Sequence, residues 1–455
     1  MGEKLMARMF GTDGVRGMAN LFPMTPEMAL NIGRAAAHVC KSNEARRHKI
    51  VVGNDTRLSG GMLESALTAG FCSMGFDVFL AGALPTPGIA FMTCSMGMDV
   101  GVVISASHNP FQDNGIKIFT RDGYKLPDSQ EDEIERLIVT EEIKDLRPTG
   151  IEIGRVRRIP DASERYASFC KKAFPANLSV GEIRIVLDCA NGATSGVAPE
   201  IFSALGAEVT AMHCKPDGIN INDRCGSQHT ADLAAKVLET GSSLGLAFDG
   251  DGDRLIAVDE KGRELTGDHI LAVCSKMYKE QGRLRNNMVV STVMSNYGFM
   301  AAMSRLGIGH AASAVGDRYV LELMKEKDAV VGGEPSGHMI FLDRHTAGDG
   351  IISALQLLTA MLLEGKPLSE LSQVMQMSPQ KIINVEVKRK PPLESLPELQ
   401  DKIRIAESEL SQQGRVLIRY SGTQSMCRVM VEGPTDAITE RLAKDLAETV
   451  RNCIG

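Results

Sequence analysis

The chain has 455 residues, 43% hydrophobic and 24% charged, which suits an ordinary folded protein of about three domains. A net charge of -7 leaves no global basic face for nucleic acid or an anionic membrane, so an anionic substrate needs a local basic cleft. The ten cysteines stand singly, no apolar run approaches the ~18 residues of a membrane span, and the N-terminus has no signal core. These features point to reduced thiols in a cytoplasm.

In chain order, Ile50-Val51-Val52-Gly53-Asn54-Asp55 predicts a buried strand running into polar turn residues. A helix over 62–73, Gly75 and a second strand at 77–80 follow. Val100-Gly101-Val102-Val103-Ile104 predicts another buried strand, which delivers Ser105 and Ser107 to its carboxyl end. The acidic run 128–142 reads as a solvated helix face. The strand–turn–helix–Gly–strand pattern recurs from Arg184-Ile185-Val186-Leu187-Asp188, with a helix near 197–204, and again from Met288-Val289-Val290-Ser291, with a helix near 297–305. Three occurrences predict three similar α/β domains with mixed or parallel sheets.

The last stretch differs. Lys381-Ile382-Ile383-Asn384-Val385-Glu386-Val387 alternates as a half-exposed strand does, and Pro391-Pro392 follows. A helix over 398–410, strands at 416–418 and 428–431, and an amphipathic helix over 436–450 complete a C-terminal α+β domain. Thr435 or Asp436 is the expected N-cap of that last helix. The resulting division is 1–155, 156–254, 255–370 and 371–455.

Four segments carry chemistry. In Asp249-Gly250-Asp251-Gly252-Asp253-Arg254, carboxylates at alternate positions can turn toward one point while the glycines let the backbone bend. Such hard oxygen ligands suit Mg²⁺; an exposed acidic turn is the plainer alternative. An EF-hand fits Asp249, Asp251, Asp253 and Glu260, but fails where the loop requires Gly and this chain has Arg254. Ser107, in Ser105-Ala106-Ser107-His108-Asn109-Pro110, offers a hydroxyl that could act as nucleophile or carry a phosphoryl group, with His108 and Lys117 near in sequence. Helix capping is the alternative there. Arg419-Tyr420-Ser421-Gly422-Thr423 with Arg428 reads either as a phosphate clamp or as a hairpin turn. Gly332-Gly333-Glu334-Pro335-Ser336-Gly337-His338 suits sugar hydroxyls and a structural turn equally.

Together these motifs resemble the α-D-phosphohexomutase superfamily over essentially the whole chain, closest to its bacterial phosphoglucosamine mutase branch. Phe10-Gly11-Thr12-Asp13-Gly14-Val15-Arg16-Gly17 looks like the N-terminal signature of that branch. The resemblance implies three similar α/β domains and a mobile α+β fourth around a central cleft. It implies a phosphorylated Ser107, one Mg²⁺ per active site held by Ser107, Asp249, Asp251 and Asp253, and charge stabilisation or proton transfer by Lys117, Arg16 and His338. Glu334 and Ser336 would grip sugar hydroxyls. Arg419, Ser421, Gly422, Thr423 and Arg428 would hold the phosphate not being transferred.

The implied reaction interconverts glucosamine 6-phosphate and glucosamine 1-phosphate through phosphoserine and a 1,6-bisphosphate, feeding UDP-N-acetylglucosamine and cell-wall synthesis. Glucosamine 1,6-bisphosphate or another hexose bisphosphate is then activator and intermediate. The partner is a phosphosugar, with no nucleic acid and no membrane, and the resemblance allows a homodimer. Phosphomannomutase or phosphoglucomutase activity is the alternative on the same scaffold. A serine phosphatase would need a second-metal His/Asp cluster that the sequence does not offer, and a phosphosugar sensor would not take up phosphate on Ser107. One departure stands out: Gln424-Ser425 follows Thr423 where the family has Glu-Pro. It removes a negative charge and relaxes the turn, so altered affinity or domain mobility is expected, with function retained.

Overall fold

The computed structural model describes residues 8–11, 13–42, 44, 46–421 and 425–455. The chain forms two compact units, Met1–Val293 with Ala311–Ser372, and Met294–His310 with Gln373–Gly455.

In the first unit, a seven-stranded sheet runs in the order Phe10–Gly11, Gly14–Met18, Asp113–Thr120, Val100–Ile104, Lys49–Asn54, Asp77–Ala83, Val156–Arg158. Val100–Ile104 is parallel to Lys49–Asn54 on one side and antiparallel to Asp113–Thr120 on the other. All five of its residues are buried, as a near-continuous apolar central strand requires. The helix Pro26–Val39 begins at Thr25, whose side chain accepts from Met28 N, with Pro at the first helical position where its missing N–H costs nothing. The acidic run forms the helix Asp128–Val139, but its face is not wholly solvated. Glu131 is buried and hydrogen-bonded by Arg318, a partner too distant in sequence to anticipate.

A second sheet runs Glu264–Leu265, Leu255–Asp259, Leu244–Phe248, Arg184–Asp188, Glu208–Met212, and a third Gly309–Ser313, Met288–Thr292, Val331–Gly333, Met339–Phe341. The three sheets repeat one device. Residues 105–112 join the antiparallel strands Val100–Ile104 and Asp113–Thr120, residues 249–254 join Leu244–Phe248 to Leu255–Asp259, and residues 334–338 join Val331–Gly333 to Met339–Phe341. Each chemistry-bearing segment is thus the tip of an antiparallel pair.

The second unit holds a three-stranded antiparallel sheet in the order Gln380–Glu386, Met426–Glu432, Arg415–Tyr420, with the helices Pro397–Leu410 and Asp436–Ile454. Thr435 is the N-cap, its side chain accepting from Ile438 N. Leu399, Leu410, Val429, Val431, Leu442, Leu446 and Val450 form the core between sheet and helices. Glu432, fully buried, ties in the segment 294–310: it accepts from Arg415 Nε at 2.6 Å, Gln380 Nε2 at 2.8 Å, Asn296 Nδ2 at 3.0 Å and Tyr297 N at 3.1 Å. Among the described residues, no single helix is long and apolar enough to cross a membrane.

Candidate active site

The serine tip is held from below by its own main chain. Ser107 has φ 54°, a left-handed conformation uncommon for a non-glycine residue. Its N–H donates to Ser105 Oγ at 2.9 Å, and Ser105 Oγ donates to Asp55 Oδ2 at 2.6 Å. The Ser107 carbonyl accepts from Arg57 Nη2 and Asn222 Nδ2, both at 2.9 Å. Arg57 is wholly buried and also donates to Asp55 Oδ2 at 2.8 Å, Asn109 O at 2.8 Å, Asp113 O at 3.0 Å and Pro110 O. The backbone is therefore fixed while the hydroxyl remains directed at the aspartate tip.

There, Ser107 Oγ donates to Asp249 Oδ2 at 2.6 Å. The two tips touch: a Cβ on Gly250 would lie 2.6 Å from the Ser107 carbonyl oxygen, so only glycine fits. Asp249, Asp251 and Asp253 are buried, and one carboxylate oxygen from each lies within 4.8 Å of the others. Asp251 Oδ2 accepts from Thr86 Oγ1 at 2.5 Å and Lys117 Nζ at 2.8 Å, while Oδ1 of both Asp251 and Asp253 is buried without a hydrogen-bond partner. Asp253 Oδ1 has Arg254 Nε, at 3.7 Å, as a counter-charge. Buried carboxylate oxygens without hydrogen bonds are costly unless a cation completes them, so this set fits an oxygen-preferring metal ion.

Electrostatics divide the carboxylates. Burial, with Asp253 and Asp251 alongside, pushes the Asp249 carboxyl well above its usual range. Burial acts the same way on Asp253, but Lys117 and His338 outweigh it and hold that carboxyl well below. Lys117 lies on Asp113–Thr120 opposite Val103, and its Nζ sits 3.1 Å from Asp13 and 3.5 Å from Asp253. Burial disfavours its charge, yet Asp13, Asp251 and Asp253 raise its pKa, so it stays a cation. Arg16 pairs with Asp13 and reaches Ala106 O at 3.4 Å. Asp13 in turn pairs with Lys125, which also pairs with Asp317.

His338, on the third tip, has Nδ1 3.6 Å from Asp253 and Nε2 3.7 Å from Asp317. Burial opposes its protonation, but Asp253, Asp317 and Glu334 lift its pKa to about 9. Gly348 packs on this ring: a Cβ there would meet Nε2 at 2.2 Å. His108 is the opposite case. Burial, with Arg254 and Arg16 nearby, lowers its pKa to about 4, leaving a neutral ring whose Nδ1 lies 3.4 Å from Ser107 Oγ. Glu334 Oε1 accepts from Gly316 N at 3.0 Å, and Ser336 is half-buried on the same tip. A cleft of about 420 Å³ is lined by Arg8, Asp13, Arg16, Asp253, Arg254, Glu334 and His338, among others.

Thus Ser107, Lys117, Arg16, His338, Glu334, Ser336 and the three aspartates lie in the first unit, on three neighbouring tips and the strands beside them. Arg419, Ser421 and Arg428 lie in the second. Arg419 and Arg428 face each other across paired strands and line a cavity of about 270 Å³. Ser421 is buried, and its carbonyl accepts from Lys390 Nζ at 2.8 Å. Gly422, Thr423, Gln424 and Thr12 lie outside the described residues. Sequence reasoning singled out neither Arg57, Asp55, Asp317 nor Lys125. The one available signal was the position of Asn54-Asp55-Thr56-Arg57 at the carboxyl end of a buried strand.

The phosphoglucomutase/phosphomannomutase α/β/α domains I, II and III match residues 7–145, 164–262 and 266–377, and the C-terminal domain matches 382–449. The chain belongs to this family. The phosphoglucosamine mutase of Syntrophobacter fumaroxidans is 56% identical over 450 residues, covering 99% of this chain and 100% of that protein. Among solved structures, a phosphoglucomutase/phosphomannomutase family protein from Burkholderia thailandensis superposes with TM-score 0.81 at 23% identity, covering 99% of this chain and 98% of that one. The N-acetylphosphoglucosamine mutase of Aspergillus fumigatus, in complex with GlcNAc-6P and magnesium, gives 0.69 at 17% identity, covering 98% and 96%. These two likenesses show the fold.

Proposed function

We propose that this chain is a phosphoglucosamine mutase in which phosphorylated Ser107 transfers its phosphoryl group to glucosamine 6-phosphate. The observation that carries the reading is the 2.6 Å contact of Ser107 Oγ with Asp249, inside a buried triad with two carboxylate oxygens that accept no hydrogen bond. The sugar hydroxyl attacks phosphorus, the bond from phosphorus to Oγ breaks, and the hydroxyl proton leaves to a base. His108, neutral and 3.4 Å from Oγ, lies on the leaving-oxygen side of that in-line transfer, so it suits the return step, taking the Oγ proton when Ser107 is rephosphorylated. Lys117, held charged beside Asp251, suits electrostatic stabilisation instead. Mg²⁺, when bound by Ser107 and the three aspartates, would neutralise charge on the transferring group.

The 1,6-bisphosphate then turns round and returns its other phosphoryl group to Ser107, releasing glucosamine 1-phosphate. Arg419 and Arg428, with Ser421 and the neighbouring Gly422 and Thr423, supply the grip for the phosphate that is not reacting. Glu334 and Ser336 read sugar hydroxyls. The division 1–155, 156–254, 255–370 and 371–455 assigns one such task to each segment: phosphoryl carrier, cation site, sugar recognition and phosphate grip. Intact mass after incubation with glucose 1,6-bisphosphate tests the carrier. Wild type should gain one phosphoryl group and Ser107→Ala none. Turnover on glucose or mannose 6-phosphate equal to that on glucosamine 6-phosphate would overturn the substrate assignment.

A further inference from the structure

The second sheet carries a cluster that the transfer chemistry leaves unused. Asp188 ends the strand Arg184–Asp188, and His213 directly follows the parallel strand Glu208–Met212. Because Asp188 and Met212 are register partners, His213 falls beside the aspartate. Cys225 precedes the turn Gly226–Gln228. One donor atom from each of the three lies within 4.8 Å of the others, giving an oxygen, a nitrogen and a sulfur around one point.

The Asp188–His213 pair is informative. Nδ1 of His213 is 3.1 Å from Oδ2 of Asp188 but out of line for a hydrogen bond; the carboxylate raises the ring's pKa, so a cation entering here replaces a proton. Two donors each ~2.0–2.1 Å from one tetrahedral cation stand about 3.3 Å apart, which matches that spacing. Asp188 is also oriented in advance: Oδ1 accepts from Ala190 N and Oδ2 from Gly226 N, both at 2.9 Å. Support of this kind holds metal-binding carboxylates in place. Burial and the Asp188 charge push the Cys225 thiol up to about 12, so its proton leaves at neutral pH only in exchange for a cation. The His213 side chain keeps 27% exposure, which gives an ion access.

We propose that Asp188, His213 and Cys225 form a site for a borderline divalent cation of the zinc class, distinct from the all-oxygen set of Asp249, Asp251 and Asp253. Mixed oxygen, nitrogen and sulfur donors select such ions over Mg²⁺. The site stands directly behind the transfer chemistry. Ala193 N donates to Gly250 O at 2.8 Å, and Asn222 Nδ2 donates to Ser107 O at 2.9 Å, so its turns brace both reactive tips.

Titration of the full chain with Co²⁺ under saturating Mg²⁺ tests the site, because only a sulfur ligand gives a near-ultraviolet thiolate-to-cobalt band. The band should saturate at one ion per chain. It should vanish in Cys225→Ser, with Co²⁺ affinity at least 10-fold weaker in His213→Ala, whose ring is part-exposed. Cys214→Ser, which removes the thiol next in sequence to His213, should keep it. Absence of the band in wild type overturns the proposal. So does a band that survives Cys225→Ser or disappears in Cys214→Ser, with far-ultraviolet circular dichroism confirming that each variant is folded.

Discussion

Arg419 and Arg428 are partners on adjacent antiparallel strands, two guanidinium groups set directly opposite each other. Burial and the neighbouring Arg428 both lower the pKa of Arg419, and Nε of Arg428 is buried without a hydrogen-bond partner. Like charges opposed in this way destabilise a sheet by roughly 0.2–1 kcal/mol unless an anion lies between them. Arg428→Gln should therefore leave the thermal midpoint unchanged or slightly raised, while KM for the hexose phosphate rises at least 10-fold. A lowered midpoint with unchanged KM would show that the pair is structural.

The buried aspartate triad predicts a clear response to metal. Chelation with EDTA should abolish turnover and Mg²⁺ should restore it, raising the thermal midpoint as the carboxylate repulsion is relieved. In Asp253→Asn the Mg²⁺ concentration for half-maximal rate should rise at least 10-fold. Full activity in EDTA would remove the metal from the account.

Arg57 acts through the serine loop, whose carbonyls at Ser107, Asn109, Pro110 and Asp113 it gathers into one guanidinium. Lysine has one nitrogen and cannot span them. Arg57→Lys should cut kcat about 100-fold, the usual penalty for a displacement near 1 Å at a reacting group. KM for the sugar phosphate should hold. Steady-state kinetics separate the two quantities, and a change confined to KM would contradict the positioning role.

His345 sets a pH response away from the site. Its Nε2 lies 2.9 Å from Pro87 O and its Nδ1 accepts from Thr346 N at 2.9 Å, so the neutral tautomer satisfies both nitrogens. Burial lowers its pKa to about 4 from the ordinary 6.5. The folded state thus prefers the neutral ring. Its stabilisation is complete above 6.5 and is lost as pH falls toward 4, by about 3 kcal/mol in all. Urea midpoints of wild type and His345→Gln should converge over that window. Parallel curves would assign the acid sensitivity elsewhere.

The sequence displayed the reactive tips because glycines, carboxylates and hydroxyls concentrate there, and the strands beside them are short runs of Val, Ile and Leu. It did not display what braces them. Arg57 and Ser107 lie 50 positions apart, Asn222 and Ser107 115, and Lys125 and Asp317 192. Such pairs leave no periodicity, since the sheet order alone brings them together. Nor does sequence fix protonation: His108 and His338 are the same residue type, one held neutral by burial with Arg254 and Arg16 nearby, the other charged, against its burial, by Asp253, Asp317 and Glu334.

Placing every reactive segment at the tip of an antiparallel pair separates chemistry from scaffold. The ladders below residues 249–254 and 334–338 are complete without the tips, Phe248 opposite Leu255 and Gly333 opposite Met339. Glu334 and Ser336 can therefore be exchanged without removing a rung of either ladder, whereas Gly337 cannot: its carbonyl accepts from Leu255 N at 3.0 Å, and a Cβ there would meet Leu255 O at 2.3 Å. The side chains at 334 and 336 can be rewritten while the strands that carry Ser107 and the three aspartates stay paired, with His338 kept beside Asp253.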